Sequence, residues 1–141
     1  MGGKARIATM VAGLVLVCAA RAQDVTIVAN PNVHASRMSP TQLRDIFIGT
    51  RTRLEDGTRV VPVLLKGGPA HEVFLRNHVG DNPEEFRTRW RKAVFTGQGA
   101  MPKEFRTEKE LLDYVENTPG AIGYVSRIEE KRAVKVLNVA P

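Results

Sequence analysis

Cysteine is almost missing from this sequence, because Cys18 is the only one among 141 residues. It lies in an N-terminal apolar stretch that we expect to be cleaved off. The working protein would then contain no disulfide, no thiol nucleophile and no thiolate ligand for a metal. The stability of the folded domain must therefore come from packing of its core.

Motifs of the common enzyme classes are also missing. The sequence has no Gly-x-Ser-x-Gly elbow, no His-Glu-x-x-His helix and no nucleotide-hydrolysing phosphate loop. His71 and His78 are seven residues apart, which is about 10 Å along a helix and too far for one zinc ion. We predict a protein that is not an enzyme and that uses no cofactor or metal.

No hydrophobic run is long enough to span a membrane as a helix. Residues 7–20 carry no charge and follow Lys4 and Arg6, but a spanning helix needs about 20 apolar residues. This order, followed by Ala-Arg-Ala at residues 20–22, is typical of an export signal and predicts cleavage before Gln23. We expect a signal peptide over residues 1–22 and a periplasmic or secreted protein without a membrane span.

A lipoprotein anchored through Cys18 is the alternative to a freely released domain. Lipoprotein processing favours a small residue before the cysteine, and the sequence has the branched Val17 there. The interpretation as a cleaved, released domain is therefore favoured.

Residues 23–141 are enough for one hydrophobic core and predict a single domain. Cleavage would remove Lys4, Arg6 and Arg21, which lowers the formal net charge from +6 by three, to +3. A basic run at residues 87–92 surrounds Trp90, which falls on the apolar face of a predicted helix. The run is typical of a solvated helix face, and we predict no nucleic-acid partner.

Local signals predict alternating strands and helices. Ser39, Pro40 and Gln42 form a helix-start signature with a capping box, and Gly49 is suited to end that helix. Pro62 lies inside an apolar strand and predicts either a bulge or an edge position. The expected strands are residues 25–29, 60–65, 121–126 and 134–139, and the expected helices begin near residues 40, 69, 83 and 108.

This alternation predicts an α/β fold in three layers, with a mainly parallel or mixed sheet flanked by helices. Val94 is expected on the inner face of the helix that follows Asn82. The residues expected to share one core are Leu43, Ile46, Phe47, Phe86, Trp90, Leu111, Val115, Ile122 and Val136.

Two blocks of sequence resemble a known family. They are Leu-Arg-Asp-Ile-Phe-Ile-Gly at residues 43–49 and Pro-Gly-Ala-Ile-Gly-Tyr-Val at residues 119–125, with Val-Ala-Asn-Pro at 28–31 and Val-Pro-Val at 61–63 in the same order. Together they resemble the phosphate-binding proteins of ABC transporters over about residues 25–137. The resemblance is to a small, single-lobe branch of that family.

The resemblance implies one lobe of a type II periplasmic-binding-protein-like fold, and a non-enzymatic solute-binding-like role with phosphate or another small anion as ligand. A transporter or sensor complex in the membrane would be the protein partner. Two-lobed receptors close on their ligand by a hinge, and this chain has the length of one lobe. Whether another chain supplies a second lobe is left open by the sequence. The alternative function is an envelope interaction or sensor module that has lost ligand binding.

The candidate ligand-binding residues lie in two glycine-rich turns. In the family, the strand matching residues 60–65 is followed by an arginine and a Ser-Gly-Thr turn that grips phosphate. Here Lys-Gly-Gly-Pro-Ala follows, which keeps a cation and glycines but has no hydroxyl. Backbone N–H groups at a helix start still favour an anion, although each turn is also compatible with a simple connection. The candidates are Lys66, Gly67 and Gly68 in the first turn and Thr96, Gly97 and Gln98 in the second.

Overall fold

A computed structural model describes residues 24–140, together with the isolated positions Gly3 and Gly13. The predicted signal peptide and its cleavage site therefore lie outside the described residues. The strands are β1 (Thr26–Ala29), β2 (Arg37–Met38), β3 (Val61–Leu65), β4 (Lys103–Phe105), β5 (Ala121–Val125) and β6 (Lys135–Val139). The helices are α1 (Pro40–Phe47), α2 (Pro69–Phe74), which continues as a π-helical turn (Leu75–Val79), α3 (Pro83–Phe95) and α4 (Glu108–Asn117).

The six strands form one mixed sheet in the order β2-β6-β1-β5-β3-β4. Strand β1 is antiparallel to both of its neighbours, β5 and β6, whereas the other pairs in the sheet are parallel. The prediction of an α/β fold with a mainly parallel or mixed sheet is confirmed. The two shortest strands, β2 and β4, were not predicted.

Helices cover both faces of the sheet, as successive residues of β5 show. Gly123 faces α4, and a Cβ atom there would come within 2.9 Å of the side chains of Leu111 and Val63. The next residue, Tyr124, points to the opposite face, because side chains alternate along a strand. Its ring stacks on Phe74 of α2 with a centroid distance of 3.9 Å. Gly123 is thus required for the close approach of α4.

The helix ends confirm the local signals. At α1 the Ser39 hydroxyl accepts a hydrogen bond from the Gln42 backbone, and the Gln42 side chain accepts one from the Ser39 backbone. Gly49 follows the helix with φ of 84° and packs under the Trp90 ring, where a Cβ atom would lie 2.7 Å from the indole. The Trp90 indole N–H also donates to the Phe47 carbonyl, which joins α3 to the end of α1.

Pro62 occupies neither a bulge nor an edge strand, so the prediction for this residue was wrong. The Val61 N–H points towards β5, where it donates to the Gly120 carbonyl. The backbone nitrogen of the next residue, Pro62, therefore points towards β4. Strand β4 begins to pair only at Val63, which lies opposite Lys103. Pro62 therefore costs no hydrogen bond of the sheet, although β3 has a neighbour on each side.

Two residues predicted to be inside are exposed. Val136 retains 53% of its surface and Val94 retains 47%, whereas the other predicted core residues are buried. Helix α4 packs on β1, β3, β4 and β5, and it leaves the same face of β6 open at Val136. The last buried residue of α3 is Trp90, and Val94 lies one helical turn beyond it. Among residues 24–140 no helix is long and apolar enough to cross a membrane.

Candidate functional site

The loops that follow the parallel strands meet at one end of the sheet. Strands β3, β4 and β5 end there, and the antiparallel β1 begins there, since Thr26 lies opposite Val125. In open α/β sheets, ligands bind outside the carboxyl ends of the strands. We call this the carboxyl end of the sheet. The residues that converge on it are Asp24, Lys66, Gly67, Gly68, Arg106, Glu108, Ser126 and Arg127.

The turn between β3 and α2 presents unused backbone donors. The Lys66 N–H donates to the Phe105 carbonyl, which fixes the start of the turn to β4. Gly68 has φ of 94° and ψ of 176°, a conformation suited only to glycine. Within residues 24–140, no hydrogen-bond acceptor contacts the N–H groups of Gly67, Gly68, Ala70 or His71. Pro69 has no N–H group, so the turn offers these four donors and the exposed ammonium group of Lys66.

A buried tyrosine fixes both ends of this turn. The Tyr124 hydroxyl accepts a hydrogen bond from the Leu65 N–H at 3.0 Å, one residue before the turn. Its own proton has no other acceptor among the described residues, so the hydroxyl donates to Nδ1 of His71, which is 2.5 Å away in the first part of α2. Leu65, His71 and Tyr124 are all buried. We call these three residues the tyrosine clamp, because they hold the strand end and the helix start at a fixed separation.

Both ring groups of the tyrosine clamp are neutral near pH 7. Burial lowers the pKa of His71, and the positive charge of Arg87 lowers it further, against a smaller opposite effect of Glu72. Burial raises the pKa of Tyr124 well above its ordinary value. A neutral histidine can accept at Nδ1 only when its proton is on Nε2. The clamp thus depends on one protonation state and one tautomer of His71.

The end of β5 already holds a carboxylate. The Ser126 N–H donates to Glu108 Oε1 at 2.6 Å, and the Ser126 hydroxyl donates to Glu108 Oε2 at 2.9 Å. Glu108 is in the first turn of α4, where Thr107 caps the helix by accepting from the Glu110 N–H. Two donors suited to an oxyanion are therefore occupied by a side chain of the protein itself.

A crevice of about 570 Å³ lies beside the turn, with Pro69 and Ala70 on one wall and Ser126 on another. Its lining carries carboxylates at Asp24 and Glu129 and a cation at Arg127. Arg127 pairs with Glu129 at 2.9 Å. The charge around this crevice is therefore mixed, with two carboxylates and one cation in its lining.

Asp24 contributes a negative charge to the crevice. Partial burial acts to raise the pKa of Asp24, but hydrogen bonds from the Val25 N–H and from His78 outweigh it and lower that pKa. The His78 Nε2–Asp24 Oδ1 distance is 2.9 Å, and the Asn77 side chain also donates to the same oxygen. These bonds tie Asp24 to the π-helical turn.

The second predicted turn ends α3 and uses its own amides. The N–H groups of Thr96, Gly97 and Gln98 donate to the carbonyls of Lys92, Val94 and Ala93. They are therefore not available to a ligand. No hydrogen bond or ion pair of the described part of the chain joins these residues to Lys66, Gly67 and Gly68.

Sequence reasoning missed the tyrosine clamp and the Glu108–Ser126 pair. A signal for the clamp exists, since a tyrosine inside a wholly apolar strand needs a partner for its hydroxyl once buried. Nothing in the sequence connects it to His71, which is 53 residues away along the chain. Within residues 24–140 no group of three or more His, Cys, Asp or Glu side chains is placed to hold a metal ion.

No protein-family model matches the sequence. The comparison with curated proteins gives no match either. Among solved structures, one match is a protein assigned as a phosphate ABC transporter substrate-binding protein, from Clostridium perfringens with bound phosphate. It superposes with a TM-score of 0.64 at 18% identity, over 82% of this chain and 44% of that one.

A second match is an ABC-type phosphate transport receptor from Vibrio cholerae. Its TM-score is 0.53 at 14% identity, over 82% of this chain and 46% of that one. This chain therefore spans less than half the length of either protein. At these identities the likeness concerns the fold, and the described part of this chain has a mixed α/β fold similar to that of periplasmic binding proteins.

Proposed function

We propose that this chain is a non-enzymatic, exported solute-binding-like domain that binds a small oxyanion, such as phosphate, weakly at the turn between β3 and α2. The observation that carries the proposal is the set of unused N–H groups at Gly67, Gly68, Ala70 and His71. They follow a strand at the carboxyl end of the sheet, where ligands bind in folds of this kind. The likeness in fold to phosphate-binding receptors supports the same class of ligand.

The tyrosine clamp supports the proposal because it holds the turn in place before any ligand arrives. Preorganised donors bind an anion without a further ordering cost. Lys66 supplies an exposed positive charge beside them, and it forms no ion pair within the described residues. The expected ligand is thus a small anion held by backbone donors and one ammonium group.

The binding should be weak for three physical reasons. The turn has no hydroxyl, its crevice contains the carboxylates of Asp24 and Glu129, and nothing within residues 24–140 forms a second lobe over the turn. Each missing charge-assisted hydrogen bond forgoes about 1.5–3 kcal/mol, and about 1.4 kcal/mol is tenfold in affinity. We expect a dissociation constant for inorganic phosphate no lower than roughly millimolar for the isolated chain.

Titration calorimetry with inorganic phosphate tests this proposal. Weak binding should be lost in Lys66→Ala, retained in the matched variant Lys92→Ala, and reduced as salt is raised. Micromolar affinity that survives Lys66→Ala would place the anion elsewhere and refute the proposal.

The Glu108–Ser126 pair favours a second candidate function. A side chain of the protein occupies the two donors of Ser126. In this second function, that end of the sheet is a structural element of an envelope interaction or sensor module that has lost ligand binding. Absence of any phosphate binding, in the native chain and in Glu108→Gln alike, would support this second function over the first.

A further inference from the structure

A groove between α3 and the segment that enters β4 is lined largely by apolar side chains. Its volume is about 660 Å³, and we call it the α3–β4 groove. Phe95 at its rim is 92% exposed, Val94 is 47% exposed and Met101 is 40% exposed. The residues lining it are Arg87, Arg91, Val94, Phe95, Met101, Pro102 and Glu104.

Phe95 does not belong to the hydrophobic core of the domain. Helix α3 is anchored by Phe86 and Trp90, which are buried, whereas Phe95 lies at the last position of the helix and points away from the core. Single exposed apolar residues are ordinary, but several around one concave surface mark an interaction site. Val136, the other large exposed hydrophobic residue described, lies apart from them on β6.

Charge on the groove indicates the chemistry of its partner. Arg87 and Arg91 are one helical turn apart on one wall, so they lie side by side on the helix surface. Neither forms an ion pair within residues 24–140. Glu104 supplies the single carboxylate of the lining. The lining of the groove therefore combines four apolar side chains with a net positive charge.

The positive charge of Arg87 and Arg91 disfavours two ways in which this protein itself could fill the groove. A second copy docked face to face through this groove would bring the arginine pairs of both copies close together. Residues 1–22 contain Lys4, Arg6 and Arg21 and no acidic residue, so they do not complement the wall. Addition of a strand to β4 is also disfavoured, because this edge strand has three residues and follows Pro102, which lacks an N–H group.

We propose that the α3–β4 groove binds an acidic, amphipathic segment of a protein partner. Apolar side chains of that segment would cover Phe95 and Met101, while its carboxylates would pair with Arg87 and Arg91. This surface is separate from the turn between β3 and α2, and the proposal holds whether or not that turn binds an anion.

Site-specific photo-cross-linking in the cells that make the full chain tests the proposal. A photoreactive amino acid replaces Phe95 in one strain and Val136, an exposed apolar control, in another. We expect a protein adduct at position 95 alone, and mass spectrometry should map it to a segment rich in Asp or Glu and apolar residues. The double variant Arg87→Glu/Arg91→Glu should reduce the adduct about tenfold or more.

A matched charge change distinguishes this groove from general electrostatic attraction. The variant Arg59→Glu/Arg76→Glu alters two exposed arginines outside the groove and should leave the adduct unchanged. Equal loss in both double variants, an adduct that maps to a basic segment, or no adduct above the Val136 control would overturn the proposal.

Two further measurements separate the other occupants. Sedimentation velocity that shows a dimer abolished by Phe95→Ser would assign the groove to a second copy. Sedimentation with phosphatidylglycerol vesicles that depends on Phe95 would assign it to a membrane surface. Either result would replace the protein partner proposed above.

Discussion

Removal of one hydroxyl group should test the tyrosine clamp. In Tyr124→Phe the ring is retained, so its stacking on Phe74 and its contact with Phe47 should persist. The Leu65 N–H and the His71 Nδ1 would both lose their partner in a buried environment. A buried polar group left without a partner costs about 1–3 kcal/mol. We expect the free energy of unfolding to fall by about 2–4 kcal/mol.

Tyr114→Phe is the matched control for this change. Tyr114 is half-buried, and its ring lies 4.9 Å from the Lys103 ammonium group and 5.1 Å from the Phe105 ring. No hydrogen bond to its hydroxyl occurs within the described residues. In urea unfolding at pH 7.5, Tyr114→Phe should lower the free energy of unfolding by less than about 0.5 kcal/mol. A similarly small loss for Tyr124→Phe would refute the clamp.

The same clamp predicts a pH dependence of stability. The unfolded chain protonates His71 near its ordinary pKa of 6.5, whereas the folded protein does so only at lower pH because burial lowers the pKa. Below pH 6.5 the unfolded state therefore binds more protons, and stability falls as pH falls. Above pH 6.5 the contribution is complete. In His71→Asn, which can accept from Tyr124 but cannot titrate, the slope of unfolding free energy below pH 6.5 should be smaller; an identical slope would contradict this reasoning.

Three other predictions follow from separate features. The intact mass of exported protein should correspond to a chain that begins at Gln23, and a retained precursor or a lipid on Cys18 would contradict the predicted signal peptide. Phe47→Ala should lower the free energy of unfolding by about 3–5 kcal/mol, because it leaves a cavity against Phe74; a loss under about 1 kcal/mol in urea unfolding would show that the site is not packed as described. Glu108→Gln removes the negative charge held by Ser126, so phosphate binding measured by calorimetry at low salt should strengthen, and unchanged or weaker binding would show that Glu108 does not oppose the anion.

Helix starts could be predicted from the sequence because their signals are local. A cap, a proline and a side chain three residues later are enough to satisfy the first N–H groups, as at Ser39–Gln42 and Asn82–Glu85. The same holds for Gly49, whose positive φ angle follows the end of α1. The predicted core was largely confirmed, since apolar spacing fixes which side of a helix is buried.

The candidate site could be predicted only in part. Lys66, Gly67 and Gly68 were found because a strand followed by glycines and a helix is a local pattern. Whether each of their backbone N–H groups is hydrogen-bonded depends on residues far along the chain. The Lys66 N–H, for example, donates to the Phe105 carbonyl. Their role as ligand-binding residues, and that of Thr96, Gly97 and Gln98, stays a prediction.

Only the tertiary structure decided the remaining features, because each depends on contacts between distant segments. The direction of β1, the short strands β2 and β4, and the exposure of Val136 follow from which strands lie side by side and how far α4 reaches. The partners of Tyr124 and Ser126 follow from the same arrangement. By itself the sequence determined the local elements and their apolar faces, through hydrogen bonds and spacings within a few residues. It did not determine which polar groups meet at the carboxyl end of the sheet, because that requires the strand order.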